Sequence, residues 1–425
     1  MSRWRSLSRR SYLVGIGAGL MVGALSSANA TAQETSEPAG AVSAHSALID
    51  QVLDEYRLRA GTIVTIDAPA EPLSDFVVVF DANGETYTLD LYQHSVRAPN
   101  YQVKAQVADG SYVELKASPV CTYQGAVREH VGSLVAASLL EDGFHAMILM
   151  PDDTRLWINP IASRIPAALP NQYVMYRGSD AIGSGGVCGV NDASDFGSAE
   201  QIGDEEREGG TAGTNICDAQ IGCDADFEFY QDYGSNSTTV QNRINSVINT
   251  VNVQYMRDVD IRHIITTIII RTAEPDPYSS TDYSTLLTQF RNEWLNNQGG
   301  VTRDLAHLFT GKELDGNVIG VAWTIGGICT TNAYCLSQID CCGSDSCATD
   351  LVAHECGHLW GGTHCSCSSP ASTMNPFITC ANVFSAGSIT EIVNHRNSRT
   401  CLSCAPPNAP ANDLCANAIV VTAGT

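Results

Sequence analysis

The stretch HECGHLWGGTH, His354 to His364, contains three of the ten histidines of the chain and decides the predicted fold. Residues four apart lie on one face of an α-helix, so His354 and His358 can direct their imidazole rings to a common point. Glu355 follows the first histidine and faces roughly the same way. The spacing therefore predicts a helix that carries two metal ligands with an acid beside them.

The third histidine requires the chain to change direction. His364 lies six residues after His358, so it leaves the shared face if the helix continues. Gly361 and Gly362 allow the positive φ of a turn that ends a helix. Three neutral imidazoles with one open position for water are the arrangement of a catalytic zinc site. The alternative, surface histidines without a metal, is disfavoured because the full pattern rarely arises by chance.

Length and charge limit the classes of function. A chain of 425 residues predicts two to three domains, and 44% hydrophobic with 16% charged residues fits ordinary globular protein. The formal net charge of −23 argues against nucleic acid or an anionic membrane as a partner, because neither attracts an acidic surface.

The first 30 residues are predicted to be an export signal. A basic start, MSRWRSLSRR, precedes the apolar run SYLVGIGAGLMVGAL and a small-x-small cleavage site in SSANA. SRRSYL resembles a twin-arginine signal. A lone membrane anchor is the alternative, which the short apolar run disfavours. We expect a secreted, extracellular or periplasmic protein that keeps no stable membrane anchor once the signal is removed.

The sixteen cysteines of an exported chain indicate disulfides. Only Cys121 and Cys188 precede residue 200, whereas thirteen lie from Cys217 to Cys404. We therefore expect the disulfides to stabilise this later region.

Residues 31–190 are predicted to be β-rich, with the β pattern running from Thr62 to Ile161 after a polar and short helical start. Alternating apolar segments flank Asn83-Gly84 and Asp109-Gly110, which predicts two hairpins, and FHAMILMPDDTRLWINPI predicts a third. The sequence thus predicts an antiparallel β domain without a cluster of reactive groups. Residues 191–214 are acidic and glycine-rich, which predicts an exposed linker that proteases can cut.

Residues 215–404 alternate predicted strands and helices. The order predicts an α+β fold in which a twisted mixed sheet is backed by helices. Residues 405–425 begin with prolines and predict a linker followed by the start of an incomplete β-type domain. The predicted strands of 215–404 are DADFEFY, DIRHIITTIIIR, DLAHLFTG and NVIGVAWTIGG, and the predicted helices are TTVQNRINSVINTVNVQYM, STDYSTLLTQFRNEWLNN, ATDLVAHECGHLWG and FSAGSITEIVNHRNSR.

The motif H-E-x-x-H-x-x-G-x-x-H resembles the signature of the metzincin zinc peptidases. Members of that family carry a methionine in a tight turn beneath the zinc, and STMNP supplies Met374 ten residues after His364. The resemblance implies an α/β sandwich-type catalytic domain with one catalytic Zn²⁺ on His354, His358 and His364. Met374 would be its packed apolar floor. Glu355 would be the general base that activates water for hydrolysis of protein or peptide substrates.

One branch of the family fits best. Pro376 stands where the astacin-like and serralysin-like branches have a tyrosine, whereas the NP after Met374 and HLFTGKELDGNVIGVAW ahead of GGIC resemble the reprolysin (adamalysin or ADAM-like) branch. Upstream, CTYQGAV (121–127) and VCGV (187–190) resemble the propeptides of that branch. The resemblance implies that Cys188 is a cysteine switch, a thiolate that fills the open zinc position until an unidentified protease or autocleavage cuts the linker. A disulfide or a free thiol is the alternative for Cys188.

The sequence departs from the ADAM-like pattern at several cysteines. Cys365 replaces the usual aspartate after the third histidine, and Cys121 lacks its usual partner cysteine. Cys356 lies inside the motif and is expected to be a small buried side chain that faces away from the histidine pair. We also expect that Cys365 or Cys367 pairs with Cys380, and that the adjacent Cys341 and Cys342 do not both serve one local bridge.

The resemblance further implies a substrate cleft and one disulfide. A peptide would add as an antiparallel strand to an edge formed by Ile319, Gly320, Val321 and Ala322, although an interior strand is the alternative. Cys329 and Cys401 match positions that are disulfide-linked in relatives. A structural Ca²⁺ ion is left as an alternative, because no motif in the sequence specifies its ligands.

The predicted function is that of a secreted zinc metalloendopeptidase made as a zymogen. A catalytically inactive metzincin-like adhesion or binding protein is the first alternative, but no ligand or base of the motif is missing. A zinc enzyme that acts on a non-peptide bond is the second, because the motif alone permits it. A propeptide switch favours the peptidase.

Overall fold

Two β-sheets organise the chain. The computed structural model describes residues 39–190 and 216–405, called here the N-terminal and C-terminal segments. The predicted signal peptide (1–30), the predicted linker (191–214) and residues 406–425 of the predicted incomplete domain lie outside the described residues. From Ala44 onward, the described residues lie in one compact unit.

The N-terminal segment is mostly β structure, as its alternating sequence pattern predicts. In one strand, Val78 and Phe80 are buried while Val77 and Val79 are exposed, because successive side chains point to opposite faces of a sheet. Its elements in chain order are α1 (Ala39–Glu55), β1 (Thr62–Thr65), β2 (Asp75–Ala82), β3 (Glu85–Gln93), β4 (Arg97–Gln106), β5 (Tyr112–Leu115), β6 (Thr122–Val127), β7 (Leu134–Leu140), β8 (Gly143–Leu149), β9 (Arg155–Pro160), β10 (Gln172–Arg177) and β11 (Val187–Cys188).

Eight of these strands form an antiparallel sheet in the order β1-β10-β9-β8-β7-β6-β3-β2. The two-residue turn between β2 and β3 has φ values of +54° at Asn83 and +82° at Gly84. A hairpin turn of this length needs positive φ, which asparagine and glycine tolerate well. The Asn-Gly signal in the sequence therefore corresponds to a hairpin in the structure.

The C-terminal segment supplies most of a second, mixed sheet. The order of this sheet is β11-β15-β16-β14-β12-β13-β4-β5, and β17 pairs with β12 beside that path. The elements are β12 (Ile216–Ala225), α2 (Phe227–Asp232), α3 (Ser237–Val259), β13 (Ile261–Arg271), α4 (Tyr283–Asn297), β14 (Leu305–Phe309), β15 (Val318–Ala322), β16 (Tyr334–Ser337), α5 (Asp345–Leu359), α6 (Ala386–Asn397) and β17 (Ser403–Ala405).

Helices cover this sheet with apolar cores. Ile268 and Ile270 of β13 belong to a core shared with α3, α5 and α6, whereas Ile269 belongs to a core shared with α4. Neighbouring residues of a strand face opposite ways, so these cores lie against opposite faces of the sheet. The predicted mixed α+β fold is confirmed. None of the described helices is long and apolar enough to cross a membrane.

The predicted strand DADFEFY is wrong. The strand ends at Ala225, and the aromatic residues that follow form α2. Asp226 caps this helix, because its carboxylate accepts a hydrogen bond of 2.8 Å from the backbone N–H of Phe229. The cap satisfies a free helix donor and outweighs the β preference of the aromatic residues.

The hairpin predicted around Asp109-Gly110 forms as β4 and β5, but it lies in the second sheet. β4 runs parallel to β13, with Val103 opposite Ile268, and β5 pairs with β4. A two-residue period identifies a hairpin but not the sheet that receives it. The N-terminal segment thus supplies two strands at one end of the sheet and β11 at the other.

Five disulfides lie within the C-terminal segment. Two expectations about them are wrong: Cys380 pairs with Cys347 rather than with Cys365 or Cys367, and Cys341 pairs with Cys342. Cys365 and Cys367 lie closer to Cys380 in sequence, but Cys347 reaches it because α5 packs against the loop that follows Met374. The bridges are Cys217–Cys404, Cys329–Cys401, Cys341–Cys342, Cys347–Cys380 and Cys365–Cys367.

Candidate metal centre

α5 brings the first two histidines of the motif together. The Nε2 atoms of His354 and His358 are 3.1 Å apart, and both rings are buried. His354 Nδ1 lies 2.6 Å from the carbonyl oxygen of Thr373, and His358 Nδ1 lies 2.8 Å from that of Gly362. A carbonyl oxygen only accepts, so each Nδ1 carries the hydrogen and each Nε2 presents its lone pair.

Burial favours the neutral form of these rings. It lowers the pKa of His354 to about 4 and also lowers the pKa of His358 well below its usual value. Neutral imidazole is the form that binds a metal ion, because its free nitrogen retains a lone pair.

A turn returns the third histidine to the pair. Gly361 follows the end of α5 with a φ of +91°, a conformation that favours glycine. Thr363, two residues after Gly361, is held by α6. Glu391 of that helix accepts a hydrogen bond of 2.8 Å from the N–H of Thr363 and one of 2.9 Å from its hydroxyl group. His364 Nε2 then lies 3.2 Å from His358 Nε2. The sequence analysis did not identify Glu391.

The donor set fits a zinc ion. Tetrahedral zinc with Zn–N bonds of about 2.0 to 2.1 Å requires nitrogen atoms roughly 3.3 Å apart. The measured separations of 3.1 Å and 3.2 Å agree with this geometry. Cys188 Sγ lies 3.5 Å from His358 Nε2, and the ligand atoms of Cys188 and the three histidines all lie within 4.8 Å of one another. These four side chains can therefore hold one metal ion.

Main-chain hydrogen bonds hold Cys188 in this position. The N–H groups of Val187 and Gly189 donate to the carbonyl oxygens of Asn317 and Gly320 at 2.8 Å and 2.9 Å. The N–H of Cys188 donates to Pro376 O at 3.1 Å. β11 therefore lies between β15 and the loop after Met374. The predicted edge residues Ile319 to Ala322 are in β15, which lies between β11 and β16 in this structure.

Glu355 lies beside the four ligand-type side chains. The carboxyl group is fully buried, with Oε2 3.5 Å from Cys188 Sγ, and Oε1 lacks a hydrogen-bond partner among the described residues. Burial raises the pKa of Glu355 well above its usual value. Buried carboxyl oxygens are normally paired, so an unpaired one beside a metal-type site marks a candidate functional acid.

Gly320 of β15 leaves the space that Glu355 occupies. A Cβ atom at position 320 would lie 2.5 Å from Glu355 Oε1 and 2.9 Å from its carboxyl carbon. The close approach explains why glycine is required at this point of the strand.

We expect Gly320→Ala to lower kcat/KM for peptide hydrolysis by about tenfold to a hundredfold while zinc content stays at the wild-type level, because the carboxylate must move. Kinetic assays and metal analysis of the purified protein measure both quantities. Gly300→Ala is the matched control, because a Cβ there would meet no atom within 4 Å. Unchanged kinetics in Gly320→Ala would show that the position of Glu355 is not critical.

Met374 packs against the glycines of the motif. The side chain is fully buried, and a Cβ at Gly357 would lie 2.6 Å from its Sδ, which explains the glycine inside the motif. The loop around it is held by the buried Asp350, which accepts hydrogen bonds from Thr373 Oγ1 at 2.6 Å and Asn382 N at 2.9 Å. The sequence analysis missed Asp350, although its place four residues before His354 puts it on the same helix face.

Cys356 belongs to a separate buried group. Its Sγ lies 3.7 Å from His307 Nδ1, and Cys335 Sγ lies 3.2 Å from the same nitrogen. All three side chains are fully buried. Cys356 is thus a buried side chain outside the group formed by Cys188 and the three histidines.

Comparison with known protein families supports a metallopeptidase chemistry for the C-terminal segment. Residues 214–402 match the family described as Reprolysin_5, Metallo-peptidase family M12. The match supports an M12 metallopeptidase. Metallopeptidases of this family use zinc, which agrees with the candidate histidine and cysteine ligands, and a peptidase implies protein or peptide substrates.

Among solved structures, the chain is similar to metalloproteinase-II from Bacteroides fragilis. The two share 14% sequence identity with a TM-score of 0.43 over 76% of this chain and 92% of that chain.

Proposed function

We propose that the protein is a secreted zinc metalloendopeptidase of the reprolysin (ADAM-like) branch and is made as a zymogen. The observation that carries the proposal is the convergence of three histidine Nε2 atoms beside the buried, incompletely paired carboxyl group of Glu355. Disulfides in the C-terminal segment support an extracellular location.

His354, His358 and His364 would hold the zinc ion, which supplies Lewis-acid activation of water and of the peptide carbonyl. Glu355 takes a proton from the attacking water and then delivers it to the leaving nitrogen. The buried position of Glu355 beside the three histidines suits this role, because a general base must lie within hydrogen-bond reach of the water that it activates.

The substrate would bind along β15. The main-chain groups that now bond Val187 and Gly189 would instead bond an extended peptide, with Gly320 beside the general base. The loop after Met374 would form the opposite wall of the cleft, since Pro376 O and Ile378 N already bond the segment 186–188.

The segment around Cys188 would keep the enzyme latent in two ways. Its thiolate would be the fourth zinc ligand, which excludes the water needed for hydrolysis. Its backbone also pairs with β15, where the substrate would bind, and it runs parallel to that strand. An antiparallel substrate would run in the opposite direction, so the inhibitory segment would present its peptide bonds in the wrong orientation for cleavage.

The proposal predicts that hydrolysis depends on zinc. After the chain is cut within residues 191–214, a quenched peptide library should be cleaved, a zinc chelator should abolish cleavage, and added Zn²⁺ should restore it. His364→Ala should lose both bound zinc and activity, because two imidazoles hold the ion too weakly. Native mass spectrometry measures the zinc, and His130→Ala, a change at a histidine outside this group, is the control.

Two results would favour the alternatives. One bound zinc without hydrolysis of any library peptide would favour an inactive adhesion or binding protein. Hydrolysis that persists in the chelator would contradict a zinc enzyme altogether.

A further inference from the structure

The N-terminal segment is built into the sheet that supports the candidate metal centre. β4 pairs with β13 over most of its length, from Arg97 opposite Ile265 to Gln106 opposite Arg271, and β5 adds the last strand. If the hairpin of β4 and β5 left, the edge of β13 would lose its hydrogen-bond partners. A long apolar strand exposed in this way is prone to unwanted pairing.

Apolar side chains of β4 and of the residue before it also complete the core of the C-terminal segment. Val96 and Val103 are 3% and 1% exposed and belong to the same core as Ile268 and Ile270. Their removal would return buried apolar surface to water on both sides of the contact, which disfavours separation.

The hairpin also supplies partners to a buried charge. Arg271 is fully buried and pairs with Asp224 at 2.6 Å. Its Nη1 donates to Gln106 Oε1 at 2.7 Å and to the Tyr112 hydroxyl at 2.5 Å. Loss of the hairpin would take two hydrogen-bond partners from this guanidinium and leave it with its partners of the C-terminal segment, which include Asp224 and Tyr278.

A second contact lies along α3, whose polar face is buried. Gln241 Oε1 accepts a hydrogen bond of 2.8 Å from Ser118 N. Asn249 Nδ2 donates to the carbonyl oxygens of Tyr123 and Ala137 at 3.0 Å and 3.2 Å. An apolar core adds to these hydrogen bonds, because side chains of β8 and β9 pack in one buried cluster with side chains of α3 and α5.

The contacts around Cys188 are separate from these. β11 lies at the opposite end of the sheet from β4 and β5. Among the described residues, all five disulfides lie within the C-terminal segment, so none joins the two segments.

We infer that a cut within residues 191–214 leaves the N-terminal segment bound to the C-terminal segment as a stable noncovalent two-chain complex, held by the hairpin of β4 and β5 together with the core that α3 and α5 share with the other sheet. The regulatory consequence rests on the proposed zymogen function: release of the short segment around Cys188 opens the cleft while the hairpin stays in the sheet. Inhibition and attachment are thus carried by different parts of one segment.

The test is to insert the recognition sequence of a site-specific protease after Arg207 of the full chain, which also carries Glu355→Gln to prevent self-digestion. After complete cutting, gel filtration and native mass spectrometry should find both pieces in one particle at micromolar concentration. Separation of the two pieces of this protein without denaturant would overturn the inference.

Variants of β4 test whether the hairpin helps to hold the two pieces together. Val103→Ala and Gln106→Ala should lower the urea concentration at which the pieces separate, because they remove a core side chain and a partner of Arg271. Gln102→Ala is the matched control on the same strand, because Gln102 is exposed. If all three variants separate at the same urea concentration as the parent protein, the hairpin does not contribute to the attachment.

The result does not depend on peptidase activity. Retention is measured in a variant without the proposed base, so an inactive protein could still form the two-chain complex. Conversely, an active enzyme whose pieces separate would refute the inference and leave the proposed function intact.

Discussion

Glu355→Gln is expected to retain its zinc and to lose peptide hydrolysis, with kcat/KM reduced by about a hundredfold to ten-thousandfold. Glutamine fills the same buried space but cannot take a proton from water. His354 and His358 keep their hydrogen bonds to carbonyl oxygens, because Glu355 takes no part in those bonds. Native mass spectrometry measures the bound zinc, and the hydrolysis of a quenched peptide measures the activity of the cut protein.

Glu313→Gln is the matched control. Glu313 is exposed, and the substitution removes the same charge from the chain as Glu355→Gln does. The control should hydrolyse the peptide at the wild-type rate. If Glu355→Gln kept more than a tenth of the wild-type kcat/KM, another group would have to be the base.

Cys188→Ala is expected to activate the uncut chain. Without Sγ, the fourth ligand position becomes available to water, so the intact protein should hydrolyse peptides at least about tenfold faster than the intact wild type, a change equivalent to about 1.4 kcal/mol. The backbone of β11 still bonds to β15, so we expect activity below that of the cut enzyme. A peptide assay on chains proven uncut by mass spectrometry makes the measurement.

Two further variants make this result specific. Cys121→Ala removes another thiol of the N-terminal segment, one that is buried away from the metal centre, and should stay latent. Cys188→Ala combined with Glu355→Gln should be inactive, which rules out a contaminating protease. If Cys188→Ala were as latent as the wild type, the occupied cleft alone would account for the inhibition.

The parts of the site that the sequence predicted are those set by local geometry. The four-residue spacing places His354 and His358 on one face of α5, on successive helical turns. Gly361 has the positive φ that its position in the motif requires. These features need no knowledge of the rest of the chain, because helix periodicity and glycine conformation are properties of a few residues.

Features set by distant contacts could not be predicted in the same way. The assignment of β4 to the second sheet depends on which edge accepts it, and the Cys347–Cys380 bridge depends on how α5 packs against the loop after Met374. The strand prediction at DADFEFY was wrong because the side chain of Asp226 favours a helix start over the alternation of aromatic residues. Glu391 and Asp350 were missed because the partners of each are brought close only by the folded chain.

The bridge Cys217–Cys404 has a consequence for the resistance of the C-terminal segment to exopeptidases. It joins residues 187 positions apart, and β17 pairs with the beginning of β12 at the same place. Exopeptidases digest chains from free ends, but here the first and last strands of the C-terminal segment are joined by hydrogen bonds and a disulfide. We therefore expect exopeptidases to stop at this bridge from either end. Further degradation would need an endopeptidase cut between residues 217 and 404.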